Sequence, residues 1–341
     1  MFSSDSDKEV DAKADDIIPF EALDFLPNTF LHCQCVFHNH EIIMCGGIFS
    51  RKCYVYHTFK KQYKQLDSYP KGITTEGHCV VKRVNSKNPN EVTLFSFGGQ
   101  RDGDYKFTFV MKYRSVWDDV EGEGHGTEDS KTNTYNKWMP LINDKNELVF
   151  IGRGDDDYCG ARGVIGGSDN NLLFITYFPT NIDVFNLNTL QYVCHAVLPD
   201  EITSSLGQHC FVIKTENGER KNNEMLLFLE KTGLSIKYDE DNNTFEFHEL
   251  RVCSTMRALR NYAYVCIDDC ILFFGGNDEN KIHKYAMKDG KWTKFKYVIP
   301  NPLSDITAIV NEDDMYVHLI GGRDKTGFLM PRHTKRAKMD E

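Results

Sequence analysis

The stretch Ile271-Leu272-Phe273-Phe274-Gly275-Gly276 is a short apolar run that ends in two glycines. The same pattern recurs as IIMCGG from Ile42, LFSFGG from Leu94 and VHLIGG from Val317. Two degenerate copies without the glycine doublet are LLFITY from Leu172 and LLFLEK from Leu226. In chain order the first residues of the six copies are 52, 78, 54, 45 and 46 positions apart. Only the step of 78 is anomalous, and the insertions at residues 118–134 and 139–160 account for its excess. The other four steps give a period that predicts a repeat architecture.

Each copy also has similar neighbours, which indicates a structural repeat rather than a chance recurrence of glycines. A strand-like run precedes the copy, as in Tyr264-Val265-Cys266, and another with an aromatic end follows it, as in His283-Lys284-Tyr285. After a polar turn such as Lys288-Asp289-Gly290 comes a last strand that carries an aromatic residue, here Trp292. Such runs, bounded by Asn, Asp and Gly, are typical of short antiparallel strands. Four strands in each of six repeats predict an all-β fold, a six-bladed β-propeller.

The doublet after an apolar strand, followed by a Tyr and then a Trp, resembles the kelch repeat. The resemblance spans roughly residues 18–331, and its repeat glycines are Gly46, Gly47, Gly98, Gly99, Gly275, Gly276, Gly321 and Gly322. It departs from the pattern at Thr176-Tyr177 and Glu230-Lys231, so those two blades are assigned by position. Glycine allows positive φ and close backbone approach where a strand ends against the next blade. The resemblance implies a stand-alone kelch propeller that binds other proteins.

The segments outside the repeat are predicted to have different roles. Residues 1–17 are charged and polar and are expected to be a disordered tail, and residues 332–341 a tail of basic and acidic residues. The segment Phe20 to Pro27 resembles the fourth strands of other repeats. We expect it to pair into the last blade and close the ring, which leaves no long edge strand exposed. Residues 118–134 are polar and glycine-rich and predict a flexible insertion between the third and fourth strands of the second blade.

Charge and composition restrict the class of partner. The 341 residues include 50 acidic and 40 basic ones, and the net charge of −10 opposes binding to nucleic acid. No stretch approaches the roughly 20 apolar residues that span a membrane. The 11 cysteines lie mostly in apolar runs without a CxxC pair, which is typical of reduced thiols. We expect a monomeric cytoplasmic protein without nucleic-acid or membrane partners. A nuclear location is the alternative, because Lys335-Arg336-Ala337-Lys338 is a short basic run.

No motif predicts catalysis or a metal site. The run from His32 to His40 contains the residue types of a zinc site. However, His78-Cys79 and His209-Cys210 occupy the equivalent region of other repeats, which favours Cys as a small buried apolar residue. The tripeptide Arg153-Gly154-Asp155 and the acidic run after it are interpreted as a solvated loop. With no nucleophile elbow, phosphate loop or HExxH helix, we expect a non-enzyme without metal or cofactor.

The predicted function is a protein-interaction module that binds on one face of the ring. In antiparallel blades the loops after the doublets and the connections between blades emerge on the same face. The candidate binding residues there are Arg51, Arg101, Arg153, Asp155, Tyr158, Asn277, Asp278 and Arg323. Arginine forks suit carboxylates, so the expected partner is a protein or an acidic peptide.

Two alternatives stay open. One is a substrate receptor for a ubiquitin ligase. About 19 residues precede the first strand, too few for the BTB or F-box domain of such receptors, so this reading requires a separate adaptor. The other is a metal-dependent enzyme, since some kelch propellers are copper oxidases.

Overall fold

Six four-stranded antiparallel sheets make up the chain. The computed structural model describes residues 20–73, 75–85, 88–89, 91–99, 106–117, 134–199, 209–276, 279–295, 298–311 and 316–337. Within these residues the only helical element is a single 3-10 turn at Met256–Ala258. In every blade each strand pairs with its neighbours in antiparallel register, so the predicted all-β, six-bladed propeller is confirmed.

The strand bounds follow the repeat. The first strand of the chain is β1 (Glu21–Ala22), and blade 1 contains β2 (Gln34–His38), β3 (Glu41–Cys45), β4 (Cys53–His57) and β5 (Gln62–Leu66). Blade 2 contains β6 (Cys79–Val84), β7 (Val92–Gly98), β8 (Phe107–Tyr113) and β9 (Met139–Pro140). Blade 3 contains β10 (Asp157–Gly166), β11 (Leu172–Phe178), β12 (Asn181–Asn186) and β13 (Gln191–Val197).

The second half of the ring has the same plan. Blade 4 contains β14 (Cys210–Glu216), β15 (Glu219–Leu229), β16 (Thr232–Asp239) and β17 (Thr244–Leu250). Blade 5 contains β18 (Ala263–Ile267), β19 (Cys270–Phe274), β20 (Ile282–Ala286) and β21 (Lys291–Lys294). Blade 6 contains β22 (Thr307–Val310), β23 (Tyr316–Ile320) and β24 (His333–Ala337), and β1 is its fourth strand.

The core consists of six apolar clusters, each between two adjacent blades. In β19, Ile271 and Phe273 pack toward blade 4, whereas Leu272 and Phe274 pack toward blade 6. Alternate side chains of a strand point to opposite faces of its sheet, and here both faces are covered by a neighbouring blade. This explains why the second strands are continuous apolar runs rather than alternating apolar and polar ones.

The N-terminal strand closes the ring as predicted. Glu21 and Ala22 pair with Lys335 and Thr334 of β24, and the Leu23 amide donates to the His333 carbonyl at 2.8 Å. Leu26 is buried in the cluster between blades 6 and 1. Blade 6 therefore combines β1 from the N-terminal part of the chain with β22, β23 and β24 from its C-terminal part.

The C-terminal boundary needs a correction. Residues 332–341 are predicted from sequence to be a tail, but His333–Ala337 forms β24 and pairs with β23 over five residues. His333 and Arg336 are buried, so a strand of mostly polar residues is held by tertiary contacts that its composition does not reveal. The predicted flexible insertion lies, as expected, in the connection between β8 and β9, but residues 118–133 of it lie outside the described residues, as do residues 1–19.

Candidate functional site on the doublet face

Two sets of segments define one face of the ring, which we call the doublet face. It consists of the loops between the second and third strands and of the connections between blades. Hydrogen bonds join the two sets: the Ile48 amide donates to the Leu31 carbonyl at 2.9 Å, and the Gly276 amide donates to the Leu303 carbonyl at 3.1 Å. The loops at the opposite end of the blades form the hairpin face.

The glycine doublets fasten each loop between two connections. Gly275 and Gly276 have φ of +64° and +94°, which side chains rarely adopt. A Cβ on Gly275 would lie 2.6 Å from the Leu303 carbonyl of the following connection, and one on Gly276 would lie 2.7 Å from the Arg260 carbonyl of the preceding one. Gly46, Gly47, Gly98, Gly99, Gly321 and Gly322 also have positive φ. The doublets therefore position the face on which the candidate residues lie.

Arg153 converges with other polar side chains on a buried carboxylate. Its Nη1 lies 2.8 Å from Oδ2 of Asp183, a residue of β12 that has no exposed surface. The Nδ1 of His195 lies 2.7 Å from the other carboxylate oxygen. Arg153 also lies over the Tyr192 ring, 4.1 Å from its centroid, and 3.6 Å from Asp156 in its own loop. This cluster attaches the connection of residues 141–156 to blade 3.

Tyr158 is a correction to the sequence-based site. Its side chain is fully buried, and its hydroxyl donates to Asp183 at 3.3 Å. Burial raises the pKa of Tyr158 strongly, and the nearby Asp183 charge raises it further, so the phenol stays protonated as a donor. Asp155 is exposed in the same connection. Tyr158 is thus buried beneath the connection of residues 141–156, whereas Asp155 lies on the surface of that connection.

Arg323 is held by a second buried carboxylate. Its Nε forms an ion pair with Asp305, and the Nε2 of His32 lies 2.8 Å from the same carboxylate. Burial opposes ionisation of Asp305, but the hydrogen bond and charge of His32 and the charge of Arg323 outweigh it and lower its pKa. The Arg323 side chain keeps 44% of its surface exposed. Asp305 and His32 belong to different connections, so this trio ties blades 5, 6 and 1 together.

The remaining predicted residues divide into two groups. Arg51 lies in the first doublet loop, and its Nη1 donates to the Tyr69 carbonyl at 2.6 Å. Arg101, Asn277 and Asp278 lie outside the described residues. The structure therefore brings Arg51, Arg153 and Arg323 to one face, and each of them makes an intramolecular contact there.

Three exposed phenylalanines lie on the doublet face and are not among the binding residues predicted from the sequence. Phe25, Phe49 and Phe328 expose 75%, 81% and 67% of their surface. They lie on neighbouring segments, because the connection that carries Phe25 bonds to both loops: the Leu26 amide donates to the Pro331 carbonyl at 3.1 Å, and the Ile48 amide donates to the Leu31 carbonyl. We call these three residues the phenylalanine patch. Phe49 has φ of +62°, which is rare for a bulky residue and is found where function imposes strain.

A second set of exposed apolar residues lies in the connection between blades 2 and 3. Ile142, Leu148 and Phe150 are exposed, and Ile142 pairs with Leu148 in an isolated antiparallel bridge. Single exposed apolar residues are ordinary, but concentration on one face marks an interaction surface. Among the described residues, seven exposed large apolar side chains lie in doublet-face segments, and only Phe59 lies in a loop of the hairpin face. The seven are Phe25, Phe49, Ile142, Leu148, Phe150, Val298 and Phe328.

A cavity of about 320 Å³ lies at the mouth of the central channel on this face. Its wall includes His32, Glu230, Arg260 and Tyr262, and Arg260 forms an ion pair with Glu230 at 2.7 Å. Within the described parts of the chain, no group of three or more His, Cys, Asp or Glu side chains is placed to hold a metal ion. None of the 11 cysteines, all of which lie among the described residues, forms a disulfide bond.

The fold defines the class of protein: a six-bladed β-propeller with four-stranded blades. A solved structure titled "Structure of YjhT" is similar, with a TM-score of 0.59 and 12% identity, covering 90% of this chain and 95% of that one. At this identity the likeness concerns the fold alone. Altogether 1054 chains of solved structures match, so the scaffold is widely used and does not specify an activity.

Neither the family models nor the curated proteins contain a match to this chain. No helix in the described parts of the chain is long and apolar enough to cross a membrane.

The sequence contains a signal for some of the missed residues. Phe49 follows the Gly46-Gly47 doublet by two positions, and Phe328 lies in a polar loop. A large aromatic residue in such a loop is the sequence feature that could have indicated an exposed binding residue. Asp183 and Asp305 had no such signal. Each is one carboxylate among 50 acidic residues, and only the three-dimensional structure shows that it is buried.

Proposed function

We propose that this propeller is a non-catalytic protein-interaction module that binds a partner protein or peptide on the doublet face. The observation that carries the proposal is the concentration of exposed aromatic residues and arginines on that face. Aromatic side chains and arginine are enriched at protein interfaces and supply most of their binding energy. The rigid ring presents these side chains on loops, which is the usual place for recognition residues.

The arginines are distributed in the same way. Seven of the twelve arginines among the described residues lie in segments of the doublet face, and one, Arg114, lies in a loop of the hairpin face. The seven are Arg51, Arg153, Arg251, Arg257, Arg260, Arg323 and Arg332. This local excess of cations occurs on a chain whose net charge is −10, so it gives one face a distinct character.

The arginines best placed to meet a partner are those of the connection between blades 4 and 5. Arg251, Arg257 and Arg260 are all exposed and follow one another within ten residues. Arg257 donates to the Val252 carbonyl at 3.1 Å and forms no ion pair with a described residue, whereas Arg260 forms an ion pair with Glu230. Arg153 and Arg323, in contrast, are held by buried carboxylates. The acidic part of a partner is therefore expected at this connection, and the apolar part at the phenylalanine patch.

Matched variants test the assignment of the face. Phe25→Ser together with Phe328→Ser removes two patch residues, and Phe59→Ser is the control because Phe59 is 71% exposed on the hairpin face. The tagged full chain is used to capture partners from cells, which are identified by mass spectrometry and then purified for titration. We expect the double variant to weaken binding more than tenfold and the control to leave it unchanged. Equal binding by the wild type and the double variant would contradict the proposal.

A second comparison, between variants that remove positive charges, tests whether the partner is acidic. Arg251→Ala with Arg257→Ala is compared with Lys60→Ala and Lys288→Ala, two exposed lysines on hairpin-face loops. The arginine pair is expected to weaken the affinity and to flatten its salt dependence, because exposed charges act through screened attraction. If the lysine pair has the larger effect, the binding face has been assigned to the wrong end of the ring.

A further inference from the structure

The central channel contains a charged residue, Arg162, that forms no ion pair with any described residue. A cavity of about 200 Å³ is lined by the first strands of five blades, β2, β6, β10, β18 and β22. Arg162 of β10 lies in its wall, and the only hydrogen bond from its guanidinium to a described residue is to the Ala161 carbonyl, at 3.1 Å. No carboxylate of the described residues forms an ion pair with it. A partly buried guanidinium has five donors and is stabilised when an anion satisfies them.

The other groups of the wall do not neutralise Arg162. Asp305 is the carboxylate that lines the cavity, and it is already paired with His32 and Arg323. Burial raises the pKa of Cys79 to about 11, although the Arg162 charge lowers it in part, so Cys79 is a neutral thiol at pH 7. Burial likewise raises the pKa of Tyr264, which keeps its proton. Among the described residues of the wall, Arg162 is therefore a cation that no carboxylate balances.

Neutral donors accompany the charge. Tyr264 lines the cavity and accepts a long hydrogen bond from the Phe211 amide at 3.4 Å, which leaves its own O–H free to donate. The Gln34 amide also lines the cavity, and its hydrogen bond to the His32 carbonyl is long at 3.5 Å. A cation and neutral donors around a small cavity are the elements of an anion site.

From this arrangement we infer that the channel is a binding site for a single carboxylate centred on Arg162. A carboxylate carries one charge and matches the one unpaired cation among the described wall residues, whereas a phosphate near pH 7 carries more charge than one arginine balances. The cavity is smaller than the usual range for drug-sized ligands, about 300–1,000 Å³, so it suits a small acid or one acidic side chain. Access is from the doublet face, because the mouth cavity shares His32, Asn261 and Tyr262 with the channel.

The two sources of a carboxylate are tested with two probes. Propionate represents a free small acid, and the blocked peptide acetyl-Gly-Glu-Gly-amide, whose only charge is the Glu side chain, represents a partner's acidic residue; its Gln counterpart is the neutral control. Thermal unfolding of the full chain is measured at constant ionic strength as each probe is titrated. A ligand that binds the folded state raises the melting temperature with its concentration.

We expect one of the two probes to stabilise the wild type and Arg162→Gln to weaken its apparent affinity at least tenfold. Arg114→Gln on the hairpin face is the control and should leave the affinity unchanged, because Arg114 lies at the opposite end of the blades. Without a probe, Arg162→Gln should melt no lower than the wild type, since an uncompensated charge has been removed. The proposal is overturned if neither probe stabilises the wild type, or if Arg162→Gln responds as the wild type does.

A second measurement needs no variant. Phenylglyoxal modifies accessible arginines, and peptide mapping reports the rate at each position. The stabilising probe should slow the modification of Arg162 several-fold and leave that of the exposed Arg114 on the hairpin face unchanged. Equal rates at Arg162 with and without the probe would contradict the site. This inference does not depend on a protein bound at the doublet face, because the phenylalanine patch and Arg162 are changed by separate variants and read out with separate ligands.

Discussion

At the residue scale, Asp305 shows how a single buried carboxylate organises the doublet face. It is 3% exposed and receives His32 from one connection and Arg323 from the loop of blade 6. A buried charge is tolerated when it is paired, and removal of one partner leaves a desolvated charge behind. Arg323, which the sequence suggested as a binding residue, therefore also has a structural role.

We predict that Arg323→Ala lowers the free energy of unfolding by about 1–3 kcal/mol, because Asp305 loses a charged partner while His32 remains. Arg260→Ala is the matched control. Its side chain is 70% exposed and pairs with Glu230 at the surface, so the expected change is within about 0.5 kcal/mol. Urea unfolding at pH 7 measures both values. Similar losses for the two variants would show that Asp305 is stabilised without Arg323.

At the element scale, β1 contributes more than its two paired residues suggest. It fills the outer position of blade 6, and the segment after it places Leu26 and Phe30 in the cluster between blades 6 and 1. The Tyr63 hydroxyl of blade 1 donates to the Asp24 carbonyl at 3.3 Å. The segment thus joins the first and last blades through hydrogen bonds and apolar burial.

Deletion of residues 1–27 is predicted to lower the melting temperature, because it removes β1 and the buried Leu26; the loss of a buried leucine side chain alone costs about 2–5 kcal/mol. Deletion of residues 1–16, which contain no large apolar run, should change it little. Differential scanning calorimetry of both truncated chains measures the two melting temperatures. A small, equal effect of the two deletions would mean that β24 alone closes the ring.

At the scale of the whole molecule, several histidines are buried between blades as neutral groups. Burial lowers the pKa of His78, His283 and His318 to about 4, and it also lowers the pKa of His209 and His333 well below the usual value of histidine. His318 and His333 are joined by a 2.8 Å hydrogen bond, and His333 is bonded to the Tyr63 hydroxyl at 2.7 Å. The side chains of His318, His333 and Tyr63 therefore connect blade 6 to blade 1, where the propeller closes.

These pKa shifts predict acid sensitivity. A histidine with a lowered pKa in the folded state takes up its proton more readily when the chain unfolds, so the stability is complete above pH 6.5 and falls as the pH decreases towards about 4. Each such histidine contributes at most about 1.4 kcal/mol per pH unit. Urea unfolding between pH 7 and pH 5 should show this loss.

His283→Gln provides the comparison, because it removes one of the titrating groups. His283 accepts or donates a single hydrogen bond, to the Thr255 hydroxyl at 2.9 Å, which a glutamine can retain. The variant should show a shallower dependence of stability on pH than the wild type, by about one proton near pH 5. An identical slope would indicate that His283 is protonated in the folded state.

The repeat could be predicted from local sequence patterns. The doublets, the apolar runs before them and the aromatic strands after them are short-range signals. Because both faces of a blade are covered, the second strands are apolar throughout, and this made them easy to locate. The predicted six blades and the N-terminal closure follow from those signals. Two strands had weaker sequence signals. The strand β10 contains the glycines and the charge of Gly160-Ala161-Arg162-Gly163, and β24 is mostly polar.

Only the tertiary structure decided which side chains meet. Asp183 and Arg153 are 30 positions apart. Asp305 receives His32 from the first connection of the chain and Arg323 from the loop of blade 6. No periodicity reports such contacts, because they arise when the ring brings distant segments to one place. Exposure was equally undetermined: Tyr158 is buried and Phe49 is exposed, although each lies in a loop or at a strand end. The sequence alone therefore determined the architecture through local periodicity, whereas the functional surface depended on long-range packing.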